Sequence, residues 1–166
     1  MKQLVLTVVG QDQSGLVEQV ANAVMNHKGS WLASNLSHLA GYFAGIVQIE
    51  VPDDQISGLK SQLADIEHVT VEEETFETLA GGEKLNFVIT GNDRPGIVHE
   101  LSTVIKHKGA NIIQFTSNQQ SAPNWGVPLF NAVATVELPK HMSRDTVIEA
   151  LESLANDLIV DIEAVH

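Results

Sequence analysis

Gly10-Gln11-Asp12-Gln13-Ser14-Gly15-Leu16-Val17 returns later in the chain as Gly91-Asn92-Asp93-Arg94-Pro95-Gly96-Ile97-Val98. An apolar, strand-like segment precedes each copy, at residues 4–9 and 85–90, and a helical pattern follows each. Leu16, Val17, Val20, Ala21 and Val24 recur on one face of a 3.6-residue period, as do Ile97, Val98, Leu101, Val104 and Ile105. Both helical runs close on His-Lys-Gly, at His27-Lys28-Gly29 and His107-Lys108-Gly109, with the glycines where a left-handed C-terminal cap is expected. Val51-Pro52 and Leu138-Pro139 then stand before a second helical pattern in each half. A chain that repeats itself in this way is two copies of one small unit.

Each unit reads strand, helix, strand, strand, helix, strand. Strands are expected at residues 31–39 and 42–51 and again at 111–118 and 127–138, where Phe130, Ala132, Ala134, Val136 and Leu138 alternate with more polar neighbours. The connection over residues 119–126, with Pro123 and Gly126, is too long for a tight hairpin. Second helices are expected over 54–64 and 143–155, with Asp53 or Asp54 and Ser143 as N-caps, and Gly58 weakens the first of them by roughly 1 kcal/mol relative to Ala. Closing strands fall near 69–75 and 159–164. The fold class is therefore α+β: two tandem ferredoxin-like βαββαβ domains, each an antiparallel four-stranded sheet with both helices on one face. The domains are expected at 1–76 and 85–166, joined by a linker over 77–84 containing Gly81-Gly82. In the first strand Leu4, Leu6 and Val8 face one way and Val5, Thr7 and Val9 the other, so the helix-free face also meets something, either the other unit or a second chain in a homo-oligomer.

Composition narrows the function. Nine Lys and Arg stand against 21 Asp and Glu, a formal charge of −12. A field of that sign repels phosphate backbones and anionic lipid, and no local Lys/Arg run opposes it, so direct nucleic-acid or membrane binding is not expected. With no cysteine there is no disulfide framework, thiolate metal site or Cys nucleophile. The start of the chain turns polar too soon for a signal peptide, and no run reaches the ~20 apolar residues of a membrane helix. A soluble cytoplasmic protein is expected.

The repeated turn carries the chemistry. Gly10 and Gly91 are read as releasing the chain from its strand at dihedrals other residues resist, Asp93 as lying near a cap, and Pro95 as pre-setting the first helical turn. Gly15 and Gly96 leave the helix entrance open to another group, and unpaired N–H groups with the positive end of the dipole suit a carboxylate there. The same turns also serve simply as helix starts. Sharper motifs fail: Ile97-Val98 and Leu16-Val17 stand where a phosphate-binding loop needs Lys-Ser/Thr, and Thr103 takes the second His position of a zinc-protease helix begun by His99-Glu100. His99 reads as a solvated residue. The seven His are scattered, no nucleophile elbow is present, and neither metal, cofactor nor catalytic residues are expected. Trp31 reads as core, Trp125 as the better partner-surface candidate, and Glu72-Glu73-Glu74 as a solvated strand end.

Two βαββαβ units, each with Asp-x-x-Gly-Leu/Ile-Val after its first strand, resemble ACT domains, small ligand-binding regulatory modules. His27-Lys28-Gly29-Ser30-Trp31-Leu32, the string from His38 to Ile46, Pro128-Leu129-Phe130 and Leu138-Pro139 are similar, more specifically, to the tandem-ACT glycine cleavage system transcriptional repressor family. The resemblance implies a non-catalytic regulator without its own DNA-binding domain, responding to a small amino acid such as glycine and contacting a LysR-type transcription factor. An ACT protein that regulates an amino-acid metabolic enzyme allosterically would share this loop chemistry. The resemblance places the ligand at Gln11, Asp12, Gln13, Ser14, Gly15 and Leu16, and at Asn92, Asp93, Arg94, Pro95, Gly96 and Ile97, with Asn111 at the start of the second unit's second strand. Formyltetrahydrofolate deformylases begin with a similar unit, but here a second such unit stands where a catalytic domain would begin.

Overall fold

The computed structural model describes residues 1–11, 15–72, 81–121 and 126–163. The chain divides into two compact units, Met1–Glu77 and Thr78–His166. The first runs β1 (Lys2–Gln11), α1 (Leu16–Asn26), β2 (Ser30–Leu39), β3 (Tyr42–Val51), a 3-10 turn (Asp53–Gln55), α2 (Ile56–Ala64) and β4 (Val69–Glu72). The second runs β5 (Glu83–Asn92), α3 (Ile97–His107), β6 (Asn111–Gln120), β7 (Leu129–Leu138), α4 (Arg144–Glu152) and β8 (Ile159–Glu163). The sheets have the same order, β2-β3-β1-β4 and β6-β7-β5-β8, with every neighbouring pair antiparallel. The expected fold class is the one observed. β5 takes up Glu83 and Lys84, the last two residues read as linker.

The alternation read in the first strand decides the core. Leu4, Leu6 and Val8 are buried, and Leu4 and Leu6 pack with Val47, Ile49 and Val51 of β3 against Val20, Ala23 and Val24 of α1 and Leu59 and Leu63 of α2. In the second unit Leu85, Phe87 and Ile89 take the same places against Leu101, Ile105, Val147 and Leu151. Burying such side chains contributes on the order of 2 kcal/mol each, which holds helices of nine to eleven residues that would not persist alone. Trp31 packs at the edge of the first core, as expected. On the helix-free face Val9 is 59% and Ile46 53% exposed.

Local chemistry departs from expectation in two places, the start of α2 and the end of α1. Asp53 and Asp54 do not cap α2; the 3-10 turn precedes it and Gln55 holds the cap position, whereas Ser143 does cap α4 through the Asp145 N–H. Gly109 adopts the left-handed C-terminal conformation (φ 71°), but in the first unit Lys28 takes it (φ 57°) and Gly29 does not. Gly29 is instead needed for space, since a Cβ there would lie 2.9 Å from the Val24 side chain. Ala40 and Gly41 join β2 to β3 with positive φ at both (51° and 82°), the requirement of a two-residue type I′ hairpin. The second unit has no such hairpin, in keeping with the long connection expected there. The expectations resting on Glu73, Glu74, Trp125, residue 164 and residues 77–80 of the linker lie outside the described residues.

Gly58 has a packing role that propensity alone conceals. The His27 ring lies over it between α1 and α2, with Nε2 3.1 Å from Gln62 Oε1 and Nδ1 3.4 Å from Gln55 Oε1. A Cβ at Gly58 would stand 2.7 Å from His27 Cε1. Gly58→Ala should therefore lower stability in urea unfolding instead of giving the ~1 kcal/mol that helix propensity promises, and in a His27→Ala background the same substitution should stabilise.

Candidate functional site

β5, a central strand of its sheet, ends at Asn92, and four residues carry the chain into α3. Gly91 is required there by packing: its φ is not positive, but a Cβ would stand 2.7 Å from Leu158 Cδ2. The first unit solves the same problem with Gly10, whose Cβ would lie 2.5 Å from the His68 ring; His68 itself adopts φ 73° and accepts the Val9 N–H at 3.0 Å. The expected dihedral role of these two glycines is thus replaced by a steric one.

Side chains from other elements hold the second unit's loop in place. The Asn92 N–H donates to the Asp157 carboxylate at 2.6 Å, and the Asp93 N–H to the Pro128 carbonyl at 2.7 Å. Gln119 Nε2 donates to Asp93 Oδ2 at 2.5 Å. Arg94 forms a bidentate pair with Glu100, at 2.9 and 2.5 Å. Asp93 is therefore not the cap; Gly96 holds that position with φ 85°, and no side chain caps α3. Ile97 is buried and anchors the first turn, while Pro95 is exposed. The Ile97 N–H reaches the Arg94 carbonyl at 3.3 Å, but the amides of Val98 and His99 have no acceptor among the described residues. A Cβ placed on Gly96 would meet nothing within 4 Å, so the way to those amides is open.

In the first unit Gly15 repeats the left-handed N-cap (φ 90°), its carbonyl accepting the Gln19 N–H at 2.9 Å. Leu16 is buried and Gln11, paired with Tyr42, is exposed, whereas Asp12, Gln13 and Ser14 lie outside the described residues. Beneath Leu16 and Val17 a void of about 10 Å³ is lined only by apolar residues, among them Val20, Leu36 and Phe43. It has room for about one water and offers a charged ligand nothing.

The structure does not bring Asn111 to the loop. Asn111 pairs with Glu137 while Asn92 pairs with Leu129, which puts them at opposite ends of the sheet, roughly 27 Å apart by strand rise. The loop nonetheless carries two amides without an acceptor at a helix start, and two carboxylates, Asp93 and Asp157, each accepting one N–H and each with a second oxygen. That arrangement complements a small zwitterion. Gln119, Asp157 and Glu100 are the partners sequence reading missed; the first two reach the loop only through the tertiary fold, and Glu100 lies six residues from Arg94, not at the three- or four-residue spacing of a helical ion pair. Among the described residues no group of three potential metal ligands occurs, and His99 is exposed.

Comparison with known proteins accords with the fold. Residues 2–70 match the family model of the ACT domain. No curated protein sequence matches the chain. An unknown protein from Galdieria sulphuraria has a similar structure at 24% identity, with a TM-score of 0.82 and 99% of each chain covered. A candidate glycine cleavage system transcriptional repressor is similar at 12% identity and a TM-score of 0.69, over 98% of this chain and 97% of that one. At these identities the likeness is one of fold.

The Arg94–Glu100 pair has a pH signature. The hydrogen bond from Arg94 holds the Glu100 carboxyl below the usual range for glutamate. Because the folded-state value is depressed, the pair stabilises above the ordinary carboxylate range, and that contribution fades as pH falls through the depressed value. In an NMR titration Glu100 should have a lower midpoint than in Arg94→Ala. The stability gap between the two proteins should shrink between about pH 5 and pH 3; a gap independent of pH would contradict the pairing.

Proposed function

Taking two tandem units of ACT-domain fold as the premise, we propose that this chain is a non-catalytic regulator that binds a small amino acid, glycine foremost, and passes its occupancy to a protein partner. In this reading it is a cytoplasmic transcriptional repressor of the glycine cleavage system that works through a LysR-type transcription factor and does not touch DNA itself. The single observation that carries the ligand half is the loop of the second unit. The amides of Val98 and His99 receive the carboxylate there, and Asp93 and Asp157 the ammonium. Asn92 to Ile97 form this entrance, and Gln11 to Leu16 its counterpart in the first unit. The partner half rests on the resemblance to the repressor family and on the charge of −12, which disfavours direct phosphate contact.

Ligand size bounds the affinity. At a ceiling of about −1.5 kcal/mol for each of its roughly five non-hydrogen atoms, glycine binds no more tightly than a few micromolar, so the protein reads metabolite levels and not traces. Calorimetry with glycine should give a Kd between micromolar and millimolar. Asp93→Asn should weaken it about 10- to 100-fold by removing one charged hydrogen bond, with the melting temperature nearly unchanged. Gly96→Val is a poorer probe, because φ 85° would strain a branched residue as well as block the entrance. Absence of heat and of thermal shift with millimolar glycine, serine and alanine would overturn the reading.

A further inference from the structure

Five of the chain's nine Lys and Arg, namely Lys84, Lys106, Lys108, Lys140 and Arg144, fall in three stretches that the fold gathers at one end of the second unit. These are the start of β5, the end of α3 and the turn from β7 into α4, and they lie at the opposite end of the sheet from the loop at Asn92. His107 and His141 accompany them, and Glu83, Glu137 and Asp145 are the acids in the same stretches. No such surplus is visible along the sequence, because it forms only when the stretches fold together.

A cleft of about 280 Å³ opens at this end, lined by Gly82, Gly109, Asn111, Glu137 and Lys140 together with the Leu138-Pro139 backbone turn. The Glu137 carboxylate is engaged, accepting the Gly82 N–H at 3.0 Å, and in the sheet it stands opposite Lys84. Lys140 and Asn111 are exposed, their side chains make no hydrogen bond or ion pair with other described residues, and Arg144 lies 3.9 Å from the carboxylate of its neighbour Asp145. The cleft is near the lower end of the size range for small-molecule sites, about 300 Å³.

We propose that this cleft is an anion site, separate from the helix entrance, for a small molecule bearing a carboxylate or phosphate group. Lys140 and the Asn111 amide hold the anionic group, while Lys84, Lys106, Lys108 and Arg144 supply the local field that concentrates it against a chain of overall charge −12. Asn111 thus serves the cleft and not the loop.

The test is an amide NMR titration of the full chain with inorganic phosphate and, separately, malonate, each against sodium chloride at matched ionic strength. Saturable shifts are expected at Gly82, Gly109, Asn111 and Lys140 with a millimolar Kd for at least one probe, and the probe that saturates identifies the class of ligand. The double variant Lys108→Gln/Lys140→Gln should weaken binding about tenfold or more at an unchanged melting temperature. No saturable shift with either probe, or equal shifts in the double variant, would overturn the proposal.

Discussion

A strand buried on its helix-facing side must end and become a helix within a few residues, at a place already crowded by the neighbouring loop. A Cβ on Gly10 would run into the His68 ring, and one on Gly91 into Leu158. That absence of room fixes where β1 and β5 stop. The left-handed glycines that follow, Gly15 and Gly96, then rotate the first helical turn so that Leu16 and Ile97 enter the core. Because Gly96 has no side chain to cap α3, the amides of Val98 and His99 find no acceptor among the described residues. The same steric constraint that builds the fold therefore also creates the chemistry of its entrance.

The two entrances have diverged. In the second unit Arg94 and Asp93 are each locked by a partner from elsewhere, Glu100 and Gln119, and Asp157 holds the strand end. His68 stands at the equivalent edge of the first unit, offering a ring where the second offers a carboxylate. Gln13-Ser14 in place of Arg94-Pro95 removes the cation as well. Duplication has preserved the backbone solution while the side chains around it have changed, so equal ligands at the two loops are not required by the fold.

Much of the architecture was legible because burial writes a period into the sequence. The alternation of Leu4, Leu6 and Val8, the helical spacing from Leu16 to Val24, and the repeated Asp-x-x-Gly fixed element type, order and sheet composition. Positive-φ sites were legible only in part: Gly109 takes the left-handed conformation read for it, Gly10, Gly29 and Gly91 do not have positive φ, and Lys28, Ala40 and His68 do. Asn111 shows the limit most clearly. Its candidacy as a ligand residue came with the family resemblance, whereas strand register, which no local pattern encodes, puts it at the opposite end of the sheet from its own unit's loop.

The function of the helix entrance turns on where a bound amino acid sits. A structure of the protein grown with saturating glycine tests this directly. The ligand's carboxylate should lie within hydrogen-bond distance of the Val98 and His99 amides, and its ammonium against Asp93 or Asp157. Glycine found only in the cleft beside Lys140, or the Val98 and His99 amides bonded solely to solvent, would contradict it.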